Sequence, residues 1–279
     1  MKHTVIEQPA QLDLSFARRG ERTVFDRRLF NWPFVLTRTF FLDAAPAHQL
    51  TAIVQTSGGA VLGKDRLVQR ICVGRDAAVH IKTQAATAVY RAPPGLVTHE
   101  AVSLRVAEGG MLQYLPEPRI LFPDAALIQT IDLDCAPGGT AIVSDAFTVH
   151  DPTGAGRSFR LFESTMTLRR SGADPAMIDR MQIAGLDPRQ LRRHSAFGTL
   201  VAVTSLPAST LEPMALDLSA QLAGVPGLFA AASLLPADLG VGLRFAGTDL
   251  RSLRAGIELA LTALRSHLFG QASACLSKR

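Results

Sequence analysis

The stretch of this chain that comes nearest to a recognisable chemistry is Gly58–Asp65, Gly-Gly-Ala-Val-Leu-Gly-Lys-Asp. A phosphate-binding loop ends in Gly-Lys followed by Ser or Thr. The hydroxyl ligates magnesium, and the loop must open a helix whose N-terminus faces the phosphates. Here Asp65 puts a carboxylate where the hydroxyl belongs, and Arg66–Val73 alternates as a strand. Neither requirement is met, so a nucleotide hydrolase using Lys64 is a rival reading and not the leading one. The residues suit a turn before a strand. Gly63 serves the tight turn, and Asp65 either caps it or offers a carboxylate to a passing cation.

Other chemistries find less support. His3, His48, His80, His99, His150, His194 and His267 contain no HxH or HxxxH pair, so a permanent metal centre is not expected. Cys72, Cys135 and Cys275 are an odd number without a CxxC, which argues against a disulfide framework or thiolate zinc site and fits a reducing cytoplasm. No GxSxG marks a nucleophile elbow. The chain reads as a protein without a catalytic reaction of its own.

The elements that would position such residues are strands. Leu12, Leu14 and Phe16 alternate with polar neighbours, as do Val79 and Ile81, then Val102, Leu104 and Val106, and later Phe162, Ser164, Met166 and Leu168. Turn signals separate these runs, including Gly58-Gly59, Pro93-Pro94-Gly95, Gly109-Gly110 and Pro137-Gly138-Gly139. The spacing predicts a mainly β, multi-strand antiparallel architecture. A change of period predicts an amphipathic helix carrying Leu250, Leu253, Ile257, Leu261, Leu264 and Leu268, capped by Thr248 or Asp249 and stopped by Gly270. A weaker helix pattern covers Leu211–Leu222, while Pro188–His194 and Thr204–Pro213 read as loops. With 279 residues the chain is expected to be one domain, β-rich over 1–205 and helix-containing over 206–279.

Composition bounds the partners. The chain is 47% hydrophobic and carries a net charge of +5, with a pI near 9.6 and a mean hydropathy of +0.18. The Lys and Arg are scattered and not interleaved with aromatics, which speaks for acidic protein partners and against nucleic acid. No apolar run is long enough for a transmembrane helix, and MKHTVIEQPAQLDLSF reads as a mature N-terminus. A membrane partner is not expected.

Two segments carry more than strand pattern. TQAATAVYR (Thr83–Arg91) would place Gln84, Ala86, Ala88 and Tyr90 on one strand face and Thr83, Ala85, Thr87, Val89 and Arg91 on the other. It resembles the TxxAxKxYR strand of the urease accessory protein family UreD, also called UreH, with Ala88 at the family's Lys. YLPEPRILFPDAAL (Tyr114–Leu127) resembles that family's W/YLPxxxIxFxxA segment. Pro116 and Pro118 remove backbone donors there, predicting an edge strand or a crossover corner. Gly58, Gly59, Gly63, Asp65 and Leu67 match the family's GGxxGGDxL turn, with Lys64 in place of a glycine and one extra residue. Weaker matches are Leu12–Phe25, Gly198-Thr199-Leu200 and GVGLRF. The family's WExxxxGRxxxGExF is altered over Asp145–Phe159, with Asp145 for Glu and His150-Asp151 for Gly-Arg, and its closing PRxW is replaced by CLSKR.

The resemblance implies a divergent member whose sheets stack with partly β-helical, sandwich-like coiling before a few C-terminal helices. It implies a urease maturation scaffold that binds apo-urease on one surface and a UreF–UreG complex on another, with a 2:2 assembly with UreF allowed. No cofactor would be bound permanently. Nickel would be in transit through an interior tunnel, helped with carbon dioxide towards the urease active site. By matching motifs, Asp65 and Thr87 are candidates to line that tunnel, as is Asp179, which stands where the family commonly has a Glu-Arg pair. Tyr90, Arg91, Pro116, Arg119 and Phe122 are candidates for partner binding. A third reading keeps the fold but supposes a scaffold that has lost its link to urease.

Overall fold

A computed structural model describes residues 9–42 and 46–269. The chain opens with the hairpin β1 (Leu12–Arg19) and β2 (Arg22–Phe30), followed by the short β3 (Phe34–Leu36). It then winds into a coil. The first turn is β4 (Leu50–Thr56), β5 (Ala60–Val61) and β6 (Arg66–Val73). The second is β7 (Ala78–Thr83), β8 (Ala88–Val89) and β9 (Thr98–Val106). The third is β10 (Met111–Leu115), β11 (Arg119–Leu121) and β12 (Ala126–Cys135), and β13 (Thr140–Val149) with β14 (Leu161–Arg169) completes the winding.

Strands at equivalent points of successive turns pair in parallel. One sheet runs β4–β7–β10–β13, and the opposite sheet runs β6–β9–β12–β14. A narrow third face joins β5, β8, β11 and the end of β13. The mainly β class with solenoid-like stacking is as expected, but the direction of pairing is a correction. Antiparallel pairs are confined to the ends of the sheets, such as β1 with β2 and β13 with β16. Alternation marks which face a strand buries and is blind to its neighbour's direction. Parallel neighbours need a long crossover, and here the rest of each turn supplies it.

Stacking in register fixes the coil. Leu14, Ile71, Leu104, Leu133 and Leu168 form one inward row, and Leu50, Val79, Leu112 and Ala141 form another on the opposite sheet. All are buried. Each full burial of a large aliphatic side chain contributes about 1.5–3 kcal/mol, so these rows are the principal source of stability.

The remaining chain thickens one side. β15 (Met177–Ile183) pairs antiparallel with β14. The short α1 (Pro188–Arg193) follows, then β16 (Ala196–Val203), α2 (Ala208–Ala223), β17 (Leu228–Leu234), β18 (Gly240–Gly247) and α3 (Leu250–Phe269). Both long helices cover the outer face of the sheet that contains β13, β16 and β18, giving a second core of Ile142, Leu200, Leu218, Leu243, Leu253 and Leu264. Asp249 caps α3, its carboxylate accepting from the Ser252 amide at 2.8 Å. Gly270, Cys275 and the closing CLSKR lie outside the described residues, as does His3.

Three local expectations change. Thr204–Pro213, expected as a loop, is irregular only as far as Pro207, since α2 begins at Ala208 and contains Pro213. Pro188–His194, expected as a loop, contains α1, because Asp187 accepts from the Arg189 amide at 2.6 Å and Gln190 reaches back to the Asp187 amide at 3.0 Å. TQAATAVYR is not one continuous strand. β7 ends at Thr83, the chain bends through Gln84–Thr87, and β8 begins the third face at Ala88. Small residues permit that bend. The proline pair Pro116 and Pro118 marks the equivalent corner one turn later, between β10 and β11.

Candidate functional site

Coiling assembles polar rows that are invisible along the chain. In one sheet Glu100, Gln129 and Ser164 are adjacent in register on β9, β12 and β14. In the other, Asp145, Thr199 and Arg244 are adjacent on β13, β16 and β18. The rows meet inside the coil, where the Ser164 hydroxyl donates to Asp145 Oδ2 at 2.6 Å. Gln129 lies beside it, its amide 3.3 Å from Ser164 Oγ.

Three voids follow these rows. The largest, about 120 Å³, is lined by Gln69, Thr83, Thr87, Glu100, Tyr114 and Arg119 among others. It reaches the surface beside the exposed Gln84 and Ala85. A second, about 10 Å³, shares Tyr114, Pro116 and Arg119 with the first and adds Gln129, Ser144 and Asp145. A third of similar size, about 10 Å³, shares Asp145 with the second and adds Ser164, Asp179, Thr199 and Arg244. At that end Arg244 donates to Asp179 and, at 2.8 Å, to the Thr199 hydroxyl, bridging the two sheets.

Glu100, Arg119 and Asp145 are buried and hydrogen-bonded, whereas Arg244 at the far end is half exposed. Arg119 donates to Glu100 Oε2, while the Gln69 amide donates to Glu100 Oε1 at 2.7 Å. The Arg119 side chain is only 11% exposed and that of Glu100 only 4%. Burial opposes the guanidinium's charge, but Glu100, Tyr114 and Asp145 outweigh it and hold the Arg119 pKa above its ordinary value. Burial pushes the Asp145 carboxyl up, partly offset by its hydrogen bonds from Ser164 and Gln129 and by Arg119. Burial likewise pushes up the Tyr114 phenol. Among the described residues no group of three or more His, Cys, Asp or Glu is placed to hold a metal ion. The arrangement is a row of single oxygen ligands, suited to weak, successive contacts with a hard or borderline cation.

A family model for the UreD urease accessory protein matches residues 8–278. The chain belongs to the UreD family. It is 51% identical to urease accessory protein UreD 2 of Bradyrhizobium sp. strain BTAi1, covering 92% of this chain and 90% of the relative. It is 49% identical to the UreD 2 protein of Bradyrhizobium sp. strain ORS 278, covering 91% and 89%. Identity to the UreD 1 protein of Methylorubrum populi is 32%, covering 93% and 88%.

Within this UreD fold the residues singled out from sequence separate into groups. Thr87 lines the first void and Asp179 the third. Asp65 stands apart from the lining of all three voids, and its carboxylate accepts from the Leu62 amide at 2.9 Å as a turn cap. Gly63 is required there by packing and not by a left-handed backbone, since a Cβ would collide with Ala92. Tyr90 and Phe122 pack with tilted rings whose centroids are 4.8 Å apart, His150 meets Phe122 edge-on at 5.3 Å, and Arg91 is exposed. Pro116 and Arg119, expected on a partner-binding edge, instead line the interior voids. β11 lies between β8 and β13, not at an edge.

Sequence reasoning missed Glu100, Gln69, Gln129 and Arg244, and took Asp145 only as a departure from a family motif. The signal was parity. Glu100 shares a strand face with Val102 and Leu104, and Gln69 shares one with Leu67 and Ile71, so both are polar residues on buried faces.

Lys64 is exposed, and the segment after it is β6 and not a helix. The isolated chain is therefore expected to bind neither ATP nor GTP with magnesium. Calorimetry giving micromolar binding that Lys64→Ala abolishes would reverse that expectation.

Proposed function

We propose that this chain acts in urease maturation as a non-catalytic scaffold that passes nickel, as cargo, through its interior towards apo-urease. The observation that carries the reading is the pair of polar rows bordering three successive voids. A solenoid core does not need them for stability, because apolar residues of similar volume are often as stabilising as a buried, paired charge. Oxygen ligands offered one at a time suit a carrier that must release its ion, since a closed cage would retain it. Membership of the urease accessory family supplies the process.

In this reading UreF and UreG dock on one surface and apo-urease on another, in the cytoplasm, and UreG supplies the nucleotide chemistry. Nickel enters beside Thr87, passes Glu100 and Asp145, and leaves by Asp179 and Arg244. The exposed Tyr90–Phe122–His150 cluster with Arg91 is the docking candidate nearest the first void. Among the described residues no helix is long and apolar enough to cross a membrane.

The test uses two substitutions in a reconstitution with apo-urease, UreF, UreG and NiCl2. Thr87→Val removes one weak oxygen ligand and should lower the nickel content of the activated urease without moving the thermal midpoint. Asp65→Leu removes a turn cap and should lower the midpoint by about 2 °C, matching about 1 kcal/mol lost from a domain this large. Unchanged nickel loading with Thr87→Val, together with reduced loading by an Asp65→Leu protein of normal midpoint, would place the path elsewhere.

A further inference from the structure

The second void holds about 10 Å³, room for about one water molecule. No hydrated ion crosses it unless a side chain moves. Tyr114, Pro116 and Arg119 border both the first and second voids. Pro116 is fixed by its ring, and Tyr114 is packed into the core on β10. Arg119 is the long, unbranched side chain of the three. It reaches from the third face towards two acidic residues on opposite sheets, Glu100 on β9, which it now contacts, and Asp145 on β13, whose charge it feels.

We propose that the Arg119 guanidinium is a built-in counter-cation that closes the passage. It occupies the place a divalent cation would take on Glu100, and it must swing towards Asp145 for that ion to enter. This rests on the passage reading above and adds a specific gate to it. The physical basis is exclusion by like charge. A guanidinium cannot be neutralised by losing its proton at any physiological pH, so the only way to free the Glu100 carboxylate is movement. The two carboxylates and one arginine then give a resting interior without an unpaired cation site, and the ion becomes welcome only once Arg119 has been displaced. A conformational change set by a docked partner would make passage conditional on assembly.

The structure assigns the consequence to an isolated chain. Titrated with NiCl2, the wild-type protein should bind weakly through scattered surface histidines. Arg119→Met should expose a single additional site at least about tenfold tighter, because removing a fixed positive charge a few ångströms away relieves a large repulsion in a low-dielectric interior. Arg119→Met/Glu100→Gln should return to the wild-type isotherm. If Arg119→Met does not fold, Arg119→Gln decides, since its amide can still donate to Glu100 while carrying no charge. The proposal is overturned if the folded neutral variant binds nickel no better than wild type, or if the gain survives the loss of Glu100. Because this binding is read without urease, its outcome is separable from that of nickel loading. New binding together with nickel loading that ignores the path substitutions would keep Arg119 as the counter-cation of Glu100 and sink the passage, and with it the gate.

Discussion

Leu264→Asp is expected to yield no folded protein at any temperature, with expression only as insoluble material. Leu264 is fully buried on α3 against the sheet of β13, β16 and β18. Removing the leucine from such a site costs about 2–5 kcal/mol. Placing an unpartnered carboxylate there costs several kcal/mol more or forces it to remain protonated. Together these approach or exceed the roughly 5–15 kcal/mol that holds an ordinary domain together. Circular dichroism of refolded material checks it. A soluble variant with a native spectrum would mean that the helix face is covered by a partner and not by its own sheet.

Glu100→Leu is the second large effect, and its cause is electrostatic. The substitution leaves Arg119 buried with its direct acceptor gone and Gln69 without its 2.7 Å hydrogen bond. Breaking a buried pair by removing one partner costs about 3–5 kcal/mol. Adding Arg119→Met should recover most of that loss, because an apolar pair of similar volume is often as stable as the ion pair it replaces. Urea denaturation of the two single variants and the double variant closes the cycle. Additive losses would show that the two residues do not depend on each other, contrary to their geometry.

How much of this was legible in the sequence follows from what alternation can and cannot encode. Leu12, Leu14 and Phe16, or Phe162 and Met166, show one buried face per strand, and those faces are buried in the fold. The stripe of α3 from Leu250 to Leu268 and its Asp249 cap were legible because helical periodicity and capping are local. Pairing direction was not, since β6 and β9 would show the same pattern beside an antiparallel neighbour. The site was half legible. Thr87 and Asp179 were reached through motif positions, but Glu100 next to Gln129, or Asp145 next to Thr199, exists only in register between turns. Asp65 shows the opposite limit. A carboxylate after a glycine turn serves as a cap or as a ligand equally well on paper, and only its hydrogen bond to Leu62 shows the cap. The two prolines beside Arg119 left an edge strand and a crossover corner open, and the fold has the corner, with Arg119 lining the interior.

The central claim, that nickel travels through the interior, is tested most directly at Asp145. This residue borders both the second and third voids. Asp145→Asn keeps the shape and the oxygen that accepts from Ser164 while removing the charge. The measurement is the nickel content of urease against time, by mass spectrometry, in a reconstitution with UreF, UreG, GTP, bicarbonate and NiCl2. The account predicts an unchanged thermal midpoint, unchanged copurification with UreF, and loading roughly tenfold slower if the lost ligand raises the barrier by about 1.4 kcal/mol. Loading at the wild-type rate by a folded Asp145→Asn protein would contradict it, and the polar rows would then be structure alone.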